Sequence, residues 1–413
     1  MHGREVDVAI VGGGLAGGLI ALALFRQRPD LSIALFEQGD VLGGNHRWSW
    51  FESDLDEAGR ELLEAFPRTE WHKGYDVRFP KYLRTLSSGY LSLSSADYHA
   101  NLMEVLPENC VRLGSKAETL DAQSVTLDNG ERITAKTVID CRPFEPSPHL
   151  QGGWQIFHGQ HFRLDQPHGI DRPMIMDADV EQSAPYGNGG AYRFVYVLPL
   201  AEDELFIEDT YYADKPRIER DVLAGRIKAY ASQHGWDGQL LGDETGLLPV
   251  ITGGDFEAYQ DSLRIPGVAV AGARGGFSHP LTSYTVPIAV ENALAIAAEV
   301  DAQIFGEITG QADLSSTRLA DFCEARAQAH WHQTNIYRML GRMLFGAAQP
   351  HRRVDIFQRF YGLREPLIER FYSTHSTWAD KFRILCGKPP VSIPRALGAL
   401  AGEGEPLTSE KHK

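Results

Sequence analysis

The pattern of apolar positions near the start of the chain predicts a strand, a turn, a helix and a second strand. Residues 6–11 (VDVAIV) are almost continuously apolar, residues 15–25 have helical character, and residues 31–37 (LSIALFE) form a second apolar run. Strands that read as nearly continuous apolar runs are typical of parallel sheets covered by helices. We therefore expect an α/β fold that begins with a parallel sheet.

The turn between the first strand and the helix predicts a Rossmann-like dinucleotide site. Gly12, Gly14 and Gly17 form a GxGxxG pattern. In this pattern the first glycine permits a tight turn, the second lets the backbone approach a pyrophosphate, and the third lets helix and strand pack closely. Glu37 ends the second strand, where a carboxylate can accept a hydrogen bond from a ribose 2′-hydroxyl. We expect an adenine dinucleotide without a 2′-phosphate.

A second pair of glycines favours FAD over NAD as that dinucleotide. Gly43 and Gly44 follow shortly after Glu37, and Asn45 and His46 come next. Small residues at this place let the chain pass under an extended cofactor. Two interpretations of His46 stay open: a loop histidine with internal hydrogen bonds, or a residue beside the flavin or the substrate.

Alternating apolar and polar positions in the middle of the chain predict a second, mostly antiparallel sheet. An Asn-Gly turn at residues 129–130 predicts a hairpin, and residues 137–140 predict another strand of the first domain. Further period-two runs, which predict the inserted sheet, lie at residues 154–157, 173–176, 192–198 and 204–211. Residues 217–233 have helical character.

The chain is expected to return to the cofactor near residue 272. An apolar run ends there in small residues, and we expect Gly272, Arg274, Gly275 and Gly276 to lie near the flavin or the pyrophosphate. Residues 287–300 then predict a closing helix whose N-terminus favours electron-rich parts of the cofactor.

These patterns predict a GR2-type FAD-binding domain with an antiparallel-sheet substrate domain inserted into it and a helical C-terminal region. The predicted regions are the first FAD-binding part (1–150), the substrate domain (151–262), the second FAD-binding part (263–312), a basic helical region for substrate and membrane contact (313–400) and a flexible tail (401–413).

Charge is distributed unevenly along the chain. The formal net charge is −15, which argues against nucleic acid as a partner. From residue 318 to the end, however, 15 Lys and Arg face 9 Asp and Glu. This basic segment is interpreted either as a solvated helical face or as contact with an anionic membrane surface. Arg338 and Arg342 alternate with apolar residues, which is consistent with an interfacial helix or with a core-facing one.

No signal peptide and no continuous apolar span of 18 residues is expected, so any membrane association is predicted to be peripheral, at the cytoplasmic face. The four cysteines lie far apart without a CxxC pair, so neither a metal site nor a disulfide framework is expected.

An acidic pair lies in an otherwise apolar, aromatic strand. Adjacent residues of a strand point to opposite faces, so Glu208 is expected to share a face with Phe206 and Thr210, while Asp209 faces the other way. Burial among aromatic side chains favours the neutral form of a carboxyl group, which suits a general acid. A surface pair on an edge strand is the alternative.

Seven segments together resemble the bacterial lycopene β-cyclases, flavoproteins that cyclise carotenoids. The likeness runs from about residue 5 to residue 396, and the first segment alone is common to many FAD enzymes. In this family the acidic pair reads FLEET-like, whereas this chain has Ile207 and the shorter Asp209. The segments are DVAIVGGGLAGGLIA (7–21), GGNHRWSW (43–50), YRFVYVLPL (192–200), FIEDT (206–210), GARGGFSHPLTSYTVP (272–287), QRFYGL (358–363) and RILCGKPP (383–390).

The resemblance implies a redox-neutral, acid-initiated cyclisation of the ψ-ends of lycopene, by way of γ-carotene, to β-ionone rings. It implies Glu208 as the general acid, with Asp209 as the alternative acid. It also implies that FAD is active in its reduced form and that NAD(P)H is the direct or indirect reductant. We expect lycopene and γ-carotene to come from the membrane, and aromatic contacts to the substrate from Phe206, Tyr211, Phe277 and Tyr284.

Two other functional classes stay open at this point. An FAD-dependent monooxygenase of an apolar substrate shares the GxGxxG pattern but usually has an Asp where Ala273 and Arg274 follow Gly272. A carotenoid carrier without catalysis needs no acid at Glu208. The sequence does not determine the oligomeric state, or whether one or both ends are cyclised.

Overall fold

The fold is built from three sheets and twelve α-helices in the part of the chain that the structure describes. The structure is a computed structural model, and it describes residues 5–186, 191–308, 314–386 and 391–408. The strands are β1 (Glu5–Val11), β2 (Ile33–Phe36), β3 (Arg47–Phe51), β4 (Thr69–Trp71), β5 (Tyr75–Phe79), β6 (Tyr82–Leu86), β7 (Tyr90–Ser94), β8 (Val111–Arg112), β9 (Ala117–Asp121), β10 (Ser124–Leu127), β11 (Arg132–Asp140), β12 (Leu150–Leu164), β13 (Met174–Asp177), β14 (Tyr192–Ala201), β15 (Glu204–Ala213), β16 (Gly238–Gly254) and β17 (Val268–Val270). The helices are α1 (Leu15–Gln27), α2 (Glu57–Leu63), α3 (Ser95–Val105), α4 (Arg220–Gln233), α5 (Phe256–Leu263), α6 (Val286–Ile308), α7 (Ser316–Gln333), α8 (Asn335–Gly346), α9 (Arg353–Tyr361), α10 (Glu365–Tyr372), α11 (Trp378–Leu385) and α12 (Ile393–Ala401).

The first sheet confirms the predicted α/β fold. Its strand order is β8-β2-β1-β11-β10-β9, with β17 paired to β11. The central pairs of β1 with β2 and with β11, and of β11 with β17, are parallel. One face of β1 and β2 is buried under α1 and α6, which pack against each other, and the opposite face lies in a cluster with residues of β10 and β11. This sheet places the glycine turn after β1 at the carboxyl edge of the parallel strands.

The second sheet is largely antiparallel, as the alternating pattern predicts, in the order β16-β12-β15-β14-β13-β5-β6. Strands β5 and β6 come from within the first 150 residues, so the predicted boundary at residue 150 does not separate the two sheets. β13 pairs with β5 in parallel, a contact between residues about 100 positions apart. A third sheet, in the order β3-β7-β4, is formed by strands that flank β5 and β6 along the chain.

The C-terminal helices cover the second sheet. α8 packs on β16, and α9 packs on β14. Phe357 of α9 stacks on Tyr192 of β14 with ring centroids 4.1 Å apart and an interplanar angle of 3°. The apolar residues of these helices therefore belong to the core of the substrate-side sheet.

The interpretation of Arg338 and Arg342 as part of an interfacial helix is wrong, because both guanidinium groups have partners inside the protein. Arg338 is only 3 % exposed, lies 3.6 Å from the centre of the Trp331 ring and donates to Thr334. Burial lowers the pKa of Arg338 to about 9. Arg342 donates to the carbonyl oxygen of Thr252 at 3.1 Å.

The tail was expected to be flexible, but part of it packs on the second sheet. Leu407 is fully buried, and its amide donates to the carbonyl oxygen of Leu150 at 2.8 Å. Pro406 forms a bridge with Gln151. The apolar side chain of Leu407 holds this part of the tail, while residues 409–413 lie outside the described residues.

Candidate active site

A cavity of about 240 Å³ lies where the second sheet, the third sheet and the segment before α6 meet. Most of its wall is aromatic or aliphatic. The polar side chains that face it include two carboxyl groups and one guanidinium group, from Glu208, Glu244 and Arg47.

Glu208 lies in the cavity because of its position in β15. Phe206, Glu208 and Tyr212 alternate along this strand, and all three line the cavity, as expected for residues on one face of a strand. The hydroxyl of Thr210 donates to Glu208 Oε1 at 2.5 Å. Desolvation raises the pKa of Glu208 to about 7, with a smaller contribution from the charge of Asp209. Glu208 can therefore hold a proton near neutral pH.

Asp209 points to the opposite face of β15. Its carboxylate forms an ion pair with Arg193, with Nη2 2.6 Å and Nε 2.9 Å from Oδ2. Both side chains are buried, with exposures of 0 % and 8 %. This arrangement commits Asp209 to a buried ion pair away from the cavity.

Glu244 of β16 also faces the cavity, and the sequence analysis missed it. Desolvation and, to a smaller extent, the charge of Glu208 raise its pKa, the charge of Arg47 opposes them, and the net pKa is about 8. A carboxyl group in a segment flanked by apolar residues was the available signal, but the glycines and the proline of 238–254 hide the strand pattern.

The loop with the second glycine pair reaches the cavity and touches the strand of Glu244. Asn45 donates from Nδ2 to the backbone oxygen of Asp243 at 2.8 Å. His46 and Arg47 line the cavity, and desolvation lowers the pKa of His46. The Arg47 guanidinium lies 5.9 Å from the centre of the Phe206 ring.

The four expected aromatic contacts divide into two pairs. Phe206 and Tyr284 line the cavity. Tyr211 and Phe277 do not: both lie in a separate apolar cluster with Phe256. The prediction for Tyr211 is wrong, because the odd-numbered residues of β15 face away from Glu208. Its neighbour Tyr212 lines the cavity instead. Tyr211 instead donates to the backbone oxygen of Arg217.

The glycine turn has the geometry of a dinucleotide cradle. Gly12 has φ +105°, and a Cβ on Gly17 would lie 2.0 Å from the oxygen of Gly12, so close packing requires glycine there. A Cβ on Gly14 would meet no protein atom within 4 Å, which leaves open space beside the helix N-terminus. The first turn of α1 carries no acidic side chain. These features suit a pyrophosphate.

Glu37 and the second glycine pair lie beside that cradle. Glu37 accepts hydrogen bonds from the amides of Gly13 and Gly39, each at 2.8 Å. The amide of Gly43 donates to the oxygen of Gly13 at 2.9 Å. A Cβ on Gly44 would again meet no protein atom within 4 Å. The residues present fit an adenine dinucleotide.

The residues after β17 approach the cradle, but Arg274 has partners of its own. A Cβ on Gly272 would lie 2.9 Å from Ala16 of α1, so this loop touches the start of the helix. The guanidinium of Arg274 lies 3.3 Å from Asp140 and 3.2 Å from Glu145. Gly275 and Gly276 follow in a short turn, in which Gly276 has φ +85°. We therefore interpret Arg274 as a residue that ties this turn to the end of β11.

Solved structures share this architecture. A geranylgeranyl bacteriochlorophyll reductase-like protein from Thermoplasma acidophilum superimposes with a TM-score of 0.60, 14% identity and coverage of 96% of this chain and 98% of that chain. The Diels-Alderase PyrE3 of pyrroindomycin biosynthesis gives a TM-score of 0.51, 13% identity and coverage of 89% and 80%. The chain thus has the Rossmann-type fold of FAD-dependent monooxygenases and reductases.

Sequence comparison then identifies the family. The family model for lycopene cyclase protein matches residues 7–398. The chain is 42% identical over 391 residues to a lycopene beta-cyclase of Pseudescherichia vulneris, covering 94% of this chain and 96% of the relative. It is 39% identical over 396 residues to a lycopene beta-cyclase of Pantoea ananas, covering 95% and 97%. The chain belongs to the lycopene cyclase family.

Proposed function

We propose that this chain is an FAD-dependent lycopene β-cyclase, which closes the ψ-ends of lycopene to β-ionone rings by way of γ-carotene. The observation that carries the proposal is a protonatable carboxyl group, Glu208, in an apolar cavity of a chain that belongs to the lycopene cyclase family. The relatives do not favour the monooxygenase alternative.

Glu208 is the proposed proton donor. Its proton adds to C2 of the terminal C1=C2 bond and leaves a cation at C1. The electron pair of C5=C6 then forms the C1–C6 bond and moves the cation to C5. Loss of a proton from C6 gives the ring double bond between C5 and C6. No electrons are gained or lost overall, so the reaction is an isomerisation.

The cavity supports these steps by excluding water and by facing the cations with electron-rich groups. Tyr284 and Phe206 present aromatic rings to the cavity, and one such ring stabilises a cation by roughly 0.5–2 kcal/mol. The cradle around Gly14 and Glu37 is the proposed site for FAD. Reduced FAD held by these residues would supply negative charge that favours the cationic intermediates, without net electron transfer. We propose NAD(P)H as its direct or indirect source of electrons.

The test is product analysis with lycopene and reduced flavin, for the wild type and Glu208→Gln. We expect β-carotene from the wild type and a loss of at least about a hundredfold in the variant, since a general acid contributes about 10² to 10⁴. Glu202→Gln, an exposed acid between β14 and β15, is the matched control and keeps full activity. Unchanged lycopene from a folded, flavin-loaded wild type would refute the proposal. Full activity of Glu208→Gln would point to a carrier or to another acid.

Lycopene has no polar group, so we also propose that the chain takes it from a membrane at the cytoplasmic face. Among the described residues, no helix is long and apolar enough to cross a bilayer. The support for a peripheral contact comes from α11 and α12, which expose large apolar side chains. We name this the α11–α12 surface: Trp378 (86 % exposed), Phe382 (71 %), Leu385, Ile393 (62 %) and Leu397 (61 %).

Charge favours an anionic lipid surface as the occupant of the α11–α12 surface. Residues 378–400 contain four Lys and Arg and one acid, and that acid, Asp380, is paired with Arg370 at 2.7 Å. Arg383 and Arg395 are exposed on the same two helices. Apolar side chains with basic neighbours are typical of interfacial helices. Tyr372, six residues before Trp378 in the chain, lines the cavity.

Flotation with vesicles tests this contact. We expect binding to phosphatidylglycerol vesicles, weaker binding to phosphatidylcholine vesicles, and at least a tenfold loss for Trp378→Ser/Phe382→Ser. Leu83→Ser, which changes a residue 62 % exposed on β6, is the matched control. Equal flotation of all three proteins would refute the proposal that the α11–α12 surface binds lipid. A wild-type dimer that dissociates in the double variant would instead assign this surface to contact with a second copy of the chain.

A further inference from the structure

Glu208 and Glu244 occupy one row across three neighbouring strands. Gly159 of β12 pairs with Glu208 of β15 on one side and with Glu244 of β16 on the other. Residues paired directly across antiparallel strands point to the same face. The residue between the two acids has no side chain, so nothing from β12 separates their carboxyl groups at this level.

The space above Gly159 is occupied by the Phe206 ring. A Cβ on Gly159 would lie 2.2 Å from Cζ of Phe206. An aromatic edge therefore lies over the gap between the two acids. Glu244 lines the same cavity as Glu208, so a substrate that occupies this cavity is exposed to both carboxyl groups.

Arg47 distinguishes the two carboxyl groups. Its positive charge acts on Glu244, whereas Glu208 accepts a hydrogen bond from Thr210. Burial leaves the pKa of Glu244 above that of Glu208, so Arg47 weakens the preference of Glu244 for the proton and does not reverse it. Cyclisation starts from the form of the pair with the proton on Glu208 and the negative charge on Glu244, and the Arg47 charge increases the population of that form. This arrangement gives one donor and one acceptor in the same cavity.

We propose that Glu244 is the residue that accepts the proton lost from C6. This inference rests on the proposed cyclisation and assigns its last step. Glu208 loses a proton to C2, the C1–C6 bond forms, and the Glu244 carboxylate takes the proton from C6 as the C5=C6 bond forms. The pair holds one proton before and one after the reaction. Loss of the proton from Glu244 to solvent and uptake of a proton by Glu208, after the product has left, restore the starting state.

The test compares Glu244→Gln with the wild type and with Asp243→Asn, an exposed acid on the same strand, as the matched control. All three are checked for folding and bound flavin. We expect Glu244→Gln to form β rings at least tenfold more slowly. We also expect it to lose the acidic limb of the pH profile, because no carboxylate then needs to be ionised. Proton loss from C4 or from the C5 methyl group would give rings with a displaced double bond, which chromatography separates.

Three results would overturn the inference while the wild type still cyclises lycopene. The first is a rate of Glu244→Gln within twofold of the wild type, and the second is slower turnover of this variant with the acidic limb of its pH profile intact. The third is the absence of any ring product, which would place the block before ring closure. Should Glu244→Gln fail to fold, Glu244→Asp replaces it. This variant keeps a carboxylate that is one methylene shorter, so it is expected to be slower and to keep the acidic limb. Failure of the wild type to cyclise lycopene refutes the proposed function instead.

Discussion

Glu208 and Asp209 are neighbours in the chain, yet they lie in different environments on opposite faces of β15. Burial raises the pKa of both carboxyl groups. Asp209 is held by Arg193 in a buried ion pair, whereas Glu208 lines the cavity, and no arginine or lysine is paired with it among the described residues. One carboxyl group therefore serves the stability of the sheet, and the other is available for proton transfer.

This difference predicts different effects on the free energy of unfolding when each carboxyl group is replaced by an amide. Asp209→Asn leaves Arg193 as a buried charge without its carboxylate partner, which costs about 3–5 kcal/mol of the free energy of unfolding. Glu208→Gln, by contrast, is expected to leave that free energy within about 1 kcal/mol at pH 5, where the carboxyl is neutral. Urea denaturation of both variants checks this. The double variant Asp209→Leu/Arg193→Met should recover most of the loss, and a loss that persists would contradict the ion-pair explanation.

The pH dependence of turnover follows from the raised pKa values. The pKa of Glu208 is about 7 and that of Glu244 is about 8. The two carboxyl groups together therefore hold two protons in acid, one proton near pH 7.5 (about midway) and none well above pH 8. A proton donor is lost on the alkaline side, so the rate falls about tenfold per pH unit there. The groups that face or adjoin this pair are Arg47, His46, Tyr196, Tyr284, Thr210 and, from behind, Asp209.

Rates measured from pH 5 to pH 10 with saturating lycopene test this profile. The alkaline limb belongs to Glu208 and the proposed function, while the acidic limb belongs to Glu244 and the further inference. A rate that stays constant to pH 10 would show that neither carboxyl donates the proton. Flavin binding is followed in parallel, so that loss of cofactor is not mistaken for loss of the acid.

Gly159→Ala is expected to impair the cavity without removing any functional group. The new Cβ would meet the Phe206 ring at 2.2 Å, and overpacking of this kind costs about 1–3 kcal/mol. The ring is displaced from its place over Gly159 into the cavity that it lines, so turnover falls by more than the loss of folded protein explains. Gly225→Ala on α4, where a Cβ meets no atom within 4 Å, is the control and should be neutral or stabilising. Unchanged turnover in Gly159→Ala would show that the ring can move aside.

Gly14→Ala tests the cofactor cradle. A Cβ there meets no protein atom within 4 Å, so the fold should be retained, with a stability change below about 1 kcal/mol. The methyl group would occupy the space assigned to the pyrophosphate, so flavin retention after gel filtration should fall at least tenfold. Absorbance of the bound flavin is the measurement. Wild-type flavin content in the variant would place the pyrophosphate elsewhere.

The parts of the fold that follow from local pattern were predictable from the sequence. The apolar runs of β1 and β2 and the alternation in β15 predict the first sheet and the common face of Phe206 and Glu208. The same alternation excludes Tyr211 from that face, so its assignment to the substrate was avoidable. Tyr212, the next residue, satisfies the rule.

The parts that depend on contacts distant in the chain were not predictable. β5 and β6 join the second sheet through pairing with β13, which no local pattern shows. β16 contains five glycines and a proline, so its strand character and the proposed role of Glu244 were hidden. The charge of Arg338 suggested a surface, because periodicity alone does not show that Trp331 and Thr334 enclose it.

A chain of hydroxyl groups connects the sheets around the cavity. Tyr284, Tyr90, Tyr196 and Ser49 are joined by hydrogen bonds of 2.8, 3.0 and 3.0 Å, and they link the segment before α6 with β7, β14 and β3. Opening the cavity by a hinge between the sheets would break these bonds, at about 1–3 kcal/mol for each buried group left unpaired. These hydroxyl groups therefore hold the sheets together around the cavity.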